Sequence, residues 1–488
     1  MSTKRKLLVA LSVFLLVFGG FVYFILRGTP ALHTTDELSG ADPLIVKPRP
    51  ETIPSVSIAK PVGWAAGEAP VAAKGLEVKR FAEGLDHPRV IYTLPNGDVI
   101  AAEADSPTRG GGGFTGWIAE KLMQRAGSNR GSPDKLILLR DGNADGVAEQ
   151  RFTLLEGKFL ASPSGLAWAD DELYVANHDA VIVFDYKLGE TAIGGEPRKV
   201  MDLPGAGNHW MRNILLSPDG LRLYAAVGSA SNIGENGMEI EKGRAAIWEK
   251  DLTKDRYPRQ YANGLRNPNG LAWNPLTGEL WTTVNERDML GPDLVPDYLT
   301  NVPLGAHYGW PWIYYKKYDD DRVKWAPPEY IDDYVRKPEY ALGAHVAALG
   351  LAFVHGGERM GPDFTNGAFI ARHGSWNRKP AAGYDVVFVK FDDKGNPLGK
   401  PIPVLTGFLT ADGDTHGRPT WVAFAGDGAL LVSDDTAGII WRVIAPGAQP
   451  AAKIERIKGG SLPPVRNLKG DPNAQYKAGF KPDEKVKQ

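Results

Sequence analysis

Residues 261–311 read YANGLRNPNGLAWNPLTGELWTTVNERDMLGPDLVPDYLTNVPLGAHYGWP, and this stretch decides the fold. Gly270 to Trp273 opens a short apolar run, Asn274 to Gly278 is rich in turn formers, and Leu280 to Val284 is a second β-rich run. Two such runs around a short polar turn make a hairpin. Attached to it are an Arg266-Asn267 pair, an acidic Gly-Pro loop from Asn285 to Asp293, and a Tyr-Gly-Trp-Pro ending at Pro311. A hairpin needs none of these three, so they point to a site.

The hairpin pattern recurs outward in both directions. It appears as HPRVIYTLPNGDVIAAE from His87, SPSGLAWADDELYVAN from Ser162 and WMRNILLSPDGLRLYAAVG from Trp210. After Asn267 it returns as ALGLAFVHG from Ala348, continued by GAFIARHG from Gly367, and as RPTWVAFAGDGALLVSDD from Arg418. The copies lie roughly fifty to eighty residues apart, and more β-rich sequence follows most of them, which is the scale of four-stranded propeller blades. The expected fold is all-β: a six-bladed β-propeller over residues 75–445, with an N-terminal transmembrane helix. A pair of β-sandwiches is the alternative, but it leaves the repeat unexplained.

Composition fits many short strands, because 57 Gly and 37 Pro supply turns and 13 Trp fill space between packed sheets. A net charge of −2 gives no reason to expect a nucleic acid as partner. The absence of cysteine excludes disulfides, thiolate catalysis, thiolate metal sites, covalent c-type haem and lipoprotein acylation. At the N-terminus, Lys4, Arg5 and Lys6 precede an apolar run from Leu7 to Leu26. About 20 residues at about 1.5 Å each span one bilayer core. With the basic cluster held in the cytoplasm, the rest is exported. Residues 1–28 are therefore read as a membrane anchor, with a cleaved signal peptide as the rival. Residues 29–74 read as an extended linker that lifts the propeller off the membrane, and 446–488 as a polar tail.

Propeller ligands gather on the loops that enter the innermost strands. Arg89, Ser162, His209, Arg266, Asn267, His345 and Arg418 all stand beside the start of a repeat, so they should converge on one pocket. A neutral imidazole at His209 suits a proton acceptor near neutral pH. Arg266 offers fixed donors for a carboxylate or oxyanion, and also suits bridging between blades. Asn285 to Asp293 concentrates hard oxygen ligands suited to calcium, and reads equally as a solvated acidic loop. DGNADG, Asp141 to Gly146, matches half of a calcium loop but lacks its terminal acid and flanking helices, and reads better as a turn. HGSWNRK from His373 and DTHGRPTW from Asp414 add further cations, which suggests an anionic ligand.

GLRNPNGLAW, NERDMLGPD, HYGWP and HGSWNR together resemble the sorbosone dehydrogenase and soluble aldose sugar dehydrogenase family. That family implies a six-bladed propeller using pyrroloquinoline quinone (PQQ) and Ca2+. By this resemblance His209 is the catalytic base, and Arg266 and Asn267 hold the quinone and stabilise developing charge. Arg418 lies on the cofactor's carboxylate side, and the carbonyls of Gly291 and Pro292 hold the calcium. Ser229 stands where the soluble glucose enzymes carry an aspartate, and Thr420 replaces a second arginine. The family's cofactor lysine has no clean counterpart; Arg372, Arg378 and Lys379 are near, and Arg378 is the expected substitute. The loop from Glu286 to Gly291 is longer than in the soluble enzymes.

These readings imply a periplasmic enzyme, anchored to the inner membrane, that oxidises a sugar or sugar-derived aldehyde. Without a haem site it needs an external electron acceptor, a cytochrome or the quinone pool. A calcium-dependent lactonase-type propeller hydrolase and a non-catalytic anchored binding propeller are the alternatives.

Overall fold

The computed structural model describes residues 28–51, 55–107, 131–205, 207–329 and 331–457, together with Arg5, Ser12 and Gly19. Apart from Ser12 and Gly19, the apolar run of the expected anchor lies outside the described residues, as does most of the polar tail. Among the described residues, no helix is long and apolar enough to cross a membrane.

Six antiparallel sheets form the propeller. The first blade holds Pro88–Thr93, Val99–Glu103, Lys135–Arg140 and Gln150–Glu156 from the axis outward. The next two follow the same order, with innermost strands Gly165–Ala169 and Ile214–Leu216. The fourth consists of Asn267–Trp273, Leu280–Asn285, Pro296–Asn301 and Tyr340–Ala344, and the fifth begins at Ala348–Phe353. The sixth takes Pro419–Phe424, Leu430–Asp434 and Ile439–Ile444 from the end of the chain. Its outer strand is Glu77–Glu83, which pairs with Ile439–Ile444, so the ring is closed by hydrogen bonds between its two ends.

Six apolar clusters lie one at each junction between neighbouring blades. Trp281 and Trp441 are fully buried within two of them, as expected of large aromatics between sheets. The repeated Gly-Leu-Ala opening has a packing reason. A Cβ on Gly270 would lie 2.5 Å from the Leu349 carbonyl of the next blade, so innermost strands meet there backbone to backbone.

The starts of five of the six innermost strands carry a backbone irregularity. His87, Ser162 and His345 adopt positive φ (57°, 49° and 60°), a conformation that non-glycine residues enter only under local constraint. Register shifts follow between Pro88 and Val90, Pro268 and Leu271, Ala348 and Leu351, and Pro419 and Trp421. Such bulges bend a strand and redirect its residues.

Residues 29–74 are not a free spacer. Ser39–Gly40 adds to the outer edge of the fourth blade and Val71–Ala72 to that of the fifth. Between them the chain crosses the mouth face: Ser57 N–H donates to Trp376 O (2.7 Å) and Val62 N–H to Thr415 O (2.8 Å). The segment shows no periodicity because scattered hydrogen bonds and isolated apolar anchors such as Ala59 and Trp64, rather than one continuous apolar face, hold it. The DGNADG stretch is a turn closed on itself, with Asp141 accepting the Asp145 and Gly146 amides at 3.2 and 2.8 Å.

Gly270→Ala is expected to cost about 1–3 kcal/mol through overpacking at the blade junction. Denaturant unfolding measures this; an unchanged midpoint would show that the two strands have room to separate.

Candidate active site

Six sequence motifs are linked through two residues, Asp288 and Asn232. The Asp288 side chain accepts from Arg266 Nη2 (2.7 Å) and Asn377 Nδ2 (2.9 Å), and His345 Nδ1 lies 3.5 Å away. Its backbone N–H donates to Asn232 Oδ1 (2.9 Å), which also accepts from Arg266 Nη2. Trp310 Nε1 in turn donates to the Asn232 carbonyl (2.9 Å). VGSASN, LRNP, NERD, YGWP, the loop before Ala348 and HGSWNR are thus tied together. Burial pushes the Asp288 carboxyl up, but Arg266, His345 and Asn377 more than offset it and hold it well below the usual carboxylate range.

Asp435 plays the same part on the first and sixth blades. It is paired with Arg89 and accepts from His373 Nε2 (2.9 Å). Burial pushes His373 down to about 4, so its ring is neutral and donates through Nε2. Arg89 stacks over the Trp210 ring at 5.5 Å, beside His209.

His209 is half-buried and its tautomer is set by its neighbours. Nδ1 lies 2.8 Å from the Ser229 carbonyl and 3.0 Å from the Ser229 hydroxyl. That hydroxyl gives its own proton to Ser231 O (2.6 Å). Both oxygens therefore only accept from the ring, Nδ1 carries the proton, and the lone pair sits on Nε2. Ser229 does orient the histidine, without the charge a carboxylate would bring. Arg212, which sequence reasoning did not single out, donates to the His209 carbonyl (2.8 Å) and fixes this loop. Gly228 separates His209 from Asn267: a Cβ there would overlap both side chains. The base and the Arg266-Asn267 pair are therefore neighbours in space. Asn267 donates to Asn285 Oδ1 (3.2 Å), and its own Oδ1 is buried without a partner.

Arg418, like Arg212, has no carboxylate partner among the described residues, but it lacks the four backbone carbonyls that cover the Arg212 guanidinium. Arg418 is buried and donates to Tyr384 OH (3.0 Å). Its Nε has no hydrogen-bond partner. A buried, unpaired guanidinium is costly, and an anion arriving in the mouth would relieve it.

Three expectations need correction. Arg378 does not line the pocket. It is paired with Asp293 (2.9 Å), donates to the Pro292 carbonyl, and donates to His33 O (2.5 Å). It thereby locks the Gly-Pro loop to the N-terminal segment. Arg372 is likewise spent on Asp385 (2.7 Å), and Lys379 is exposed. The carbonyls of Gly291 and Pro292 are both taken by cationic side chains, His345 Nε2 (3.1 Å) and Arg378. As placed here, these two atoms do not fit a calcium site. The acidic loop is not a ligand cluster either: Glu286 pairs with Arg287, Asp288 with Arg266, and Asp293 with Arg49 and Arg378. Among the described residues, no group of three or more His, Asp or Glu side chains is placed to hold a metal.

The fold and the mouth site define a six-bladed propeller with a buried arginine that has no carboxylate partner among the described residues and a histidine oriented by Ser229. The chain belongs to the TrAA12-like family, whose profile matches residues 136–297 and 329–445. It is 26% identical over 303 residues to a pyrroloquinoline quinone-dependent pyranose dehydrogenase of Coprinopsis cinerea, covering 50% of this chain and 41% of that protein. It is also 26% identical to an uncharacterized protein of Borreliella burgdorferi, over 61% of this chain and 79% of the other. In fold it is similar to the calcium structure of the Trichoderma reesei AA12 protein (TM-score 0.62, 21% identity, 77% and 96% covered). It is also similar to the holo PQQ domain of the Coprinopsis cinerea pyranose dehydrogenase (TM-score 0.60, 20% identity, 79% and 100% covered).

Asp297 gives the site's shell a pH signature. Its oxygens accept the Glu286 and Ala347 amides (2.8 and 2.7 Å), and burial pushes its carboxyl up to about 7. Between roughly pH 4, where the unfolded carboxyl titrates, and about 7, the folded chain holds a proton the unfolded chain has lost. Its contribution to stability therefore falls as pH rises through that window. Asp297→Asn is expected to flatten this slope in Tm against pH. An identical slope in the variant would assign it to other groups.

Proposed function

We propose that this protein is a PQQ-dependent dehydrogenase that oxidises a sugar or a sugar-derived aldehyde of the aldose or sorbosone type. Its electrons pass to an external acceptor, a cytochrome or the quinone pool. The protein is exported and held at the periplasmic face of the inner membrane by the Leu7 to Leu26 segment. Arg418 carries the functional reading: a buried cation left without a carboxylate calls for an anionic ligand. PQQ is a tricarboxylate, and the names of the Coprinopsis cinerea relative and its PQQ domain support it as that ligand.

Arg418, Arg266 and Asn267 would hold the cofactor, through the free donor capacity of Arg418 and the unpartnered Asn267 Oδ1. When bound, PQQ supplies the acceptor for the two electrons leaving the substrate. His209 Nε2 takes the proton from the anomeric hydroxyl, or from that of a hydrated aldehyde, while Nδ1–H stays on Ser229. Arg266 is pre-oriented by Asp288, Asn232 and the Glu286 carbonyl, so it meets developing negative charge without reorganising. No step is routed through calcium, because the two carbonyls expected to bind it are already engaged.

The test is reconstitution of the apo-protein with PQQ, with and without calcium, followed by dye reduction on aldoses and sorbosone. Turnover that requires PQQ supports the reading, and absence of PQQ binding overturns it. Arg418→Ala is expected to weaken PQQ binding by about 10- to 100-fold, the worth of charge-assisted hydrogen bonds, in a fluorescence titration. His209→Ala is expected to keep PQQ affinity and lose about 10²–10⁴ in kcat. Retained turnover with lost affinity would remove His209 from the role of base.

A further inference from the structure

We infer that the mouth face of the propeller, which carries the candidate site, rests against the lipid bilayer. The inference depends on the anchor reading proposed above and adds an orientation to it.

The apolar run ends at Leu26, and the described chain begins at Gly28 on the mouth face. It is pinned there at once. Thr29 N–H donates to Ser55 Oγ (2.6 Å), Ala31 N–H to Lys379 O (2.8 Å) and Leu32 N–H to Asp293 Oδ2 (2.9 Å). Asp293 and Lys379 belong to the same two loops that supply Asp288 and Asn377 to the site. From Leu26 to Thr29 a fully extended chain reaches about 10 Å. The tether therefore has no slack for the propeller to turn its mouth away from the membrane.

The surface around this exit has the matching chemistry. Leu32 (69% exposed), Val56 (38%), Val62 (52%) and Trp376 (39%) all stand on the mouth face. Val56 and Val62 are placed there by the bonds of Ser57 to Trp376 and of Val62 to Thr415. Val56 lines a groove of about 1010 Å³ together with Gly28, Ile58, Lys379 and the carboxylates Asp412 and Asp414. Clustered exposed apolar residues mark an interaction surface, and a Trp with a Lys beside it suits the headgroup boundary. A bilayer is the occupant the geometry favours, because the anchor enters at the edge of this groove. Sugar would then enter from the side, between propeller and headgroups, and the acceptor within reach of the mouth is one held in the membrane.

The chain contains no cysteine, so single-cysteine labelling is clean. Trp376→Cys, Val56→Cys and Tyr257→Cys in the full chain would each carry bimane. Tyr257, 98% exposed, lies in a turn on the opposite face of the third blade. The labelled proteins would be reconstituted in phosphatidylethanolamine/phosphatidylglycerol vesicles containing doxyl-labelled lipid. Quenching several-fold stronger at 376 and 56 than at 257 is expected. Equal quenching at all three, or stronger quenching at 257, in vesicles that carry the chain would overturn the orientation. A chain that does not float with the vesicles would remove the anchor, and the orientation with it. PQQ binding by that same sample reports separately on the enzymatic reading.

Discussion

Cations buried at the mouth of a propeller must be neutralised from the neighbouring blades. Asp288 does this for Arg266 and His345, and Asp435 does it for Arg89 with His373 alongside. Each carboxylate draws partners from blades that share no hydrogen-bond ladder. Removing either would leave a buried charge uncompensated, a change that typically costs about 3–5 kcal/mol. The ion pairs thus do for the mouth what the Glu77–Glu83 strand does for the ring: they fix which blade faces which. Arg212 and Arg418 stand outside that arrangement, since neither meets a carboxylate among the described residues; four backbone carbonyls cover Arg212, whereas Arg418 donates only to Tyr384 OH.

This neutralisation explains what was legible in the sequence and what was not. The six blades were legible because each innermost strand opens after a turn and runs apolar through the core. The positions of His209, Arg266, Asn267 and Arg418 followed from that register. Their partners did not. Asp293 looks like a metal ligand until Arg49 and Arg378 arrive from 244 and 85 residues away. Arg378 looks like a cofactor ligand until the same loop consumes it. A carboxylate beside a Gly-Pro turn reads the same in sequence whether a metal or a guanidinium faces it, because the choice is made by chain that is remote in sequence. The segment from Thr29 to Lys74 was misread for a related reason. It is bound by scattered hydrogen bonds and isolated apolar anchors such as Trp64, and these leave no periodic trace.

Ser229 shows how a departure from a family pattern can keep one function and change another. A carboxylate beside a basic histidine orients the ring and also stabilises the imidazolium that forms. Here a carbonyl and a hydroxyl that has already given away its proton do the orienting alone. Geometry is preserved, and the electrostatic share of the work must come from elsewhere in the mouth.

The N-terminal segment joins these strands of argument. It closes over the Gly-Pro loop through Arg49, Leu32 and the His33 amide, and over the His373 to Lys379 loop through Ala31, Ser57 and the His33 carbonyl. Those two loops supply Asp288, Asn377 and His373. The chain that leads out of the apolar segment is therefore part of the shell that holds the site in shape. The proposed anchoring would therefore couple to site geometry, because the hydrogen bonds made by residues 29–33 reach the same two loops.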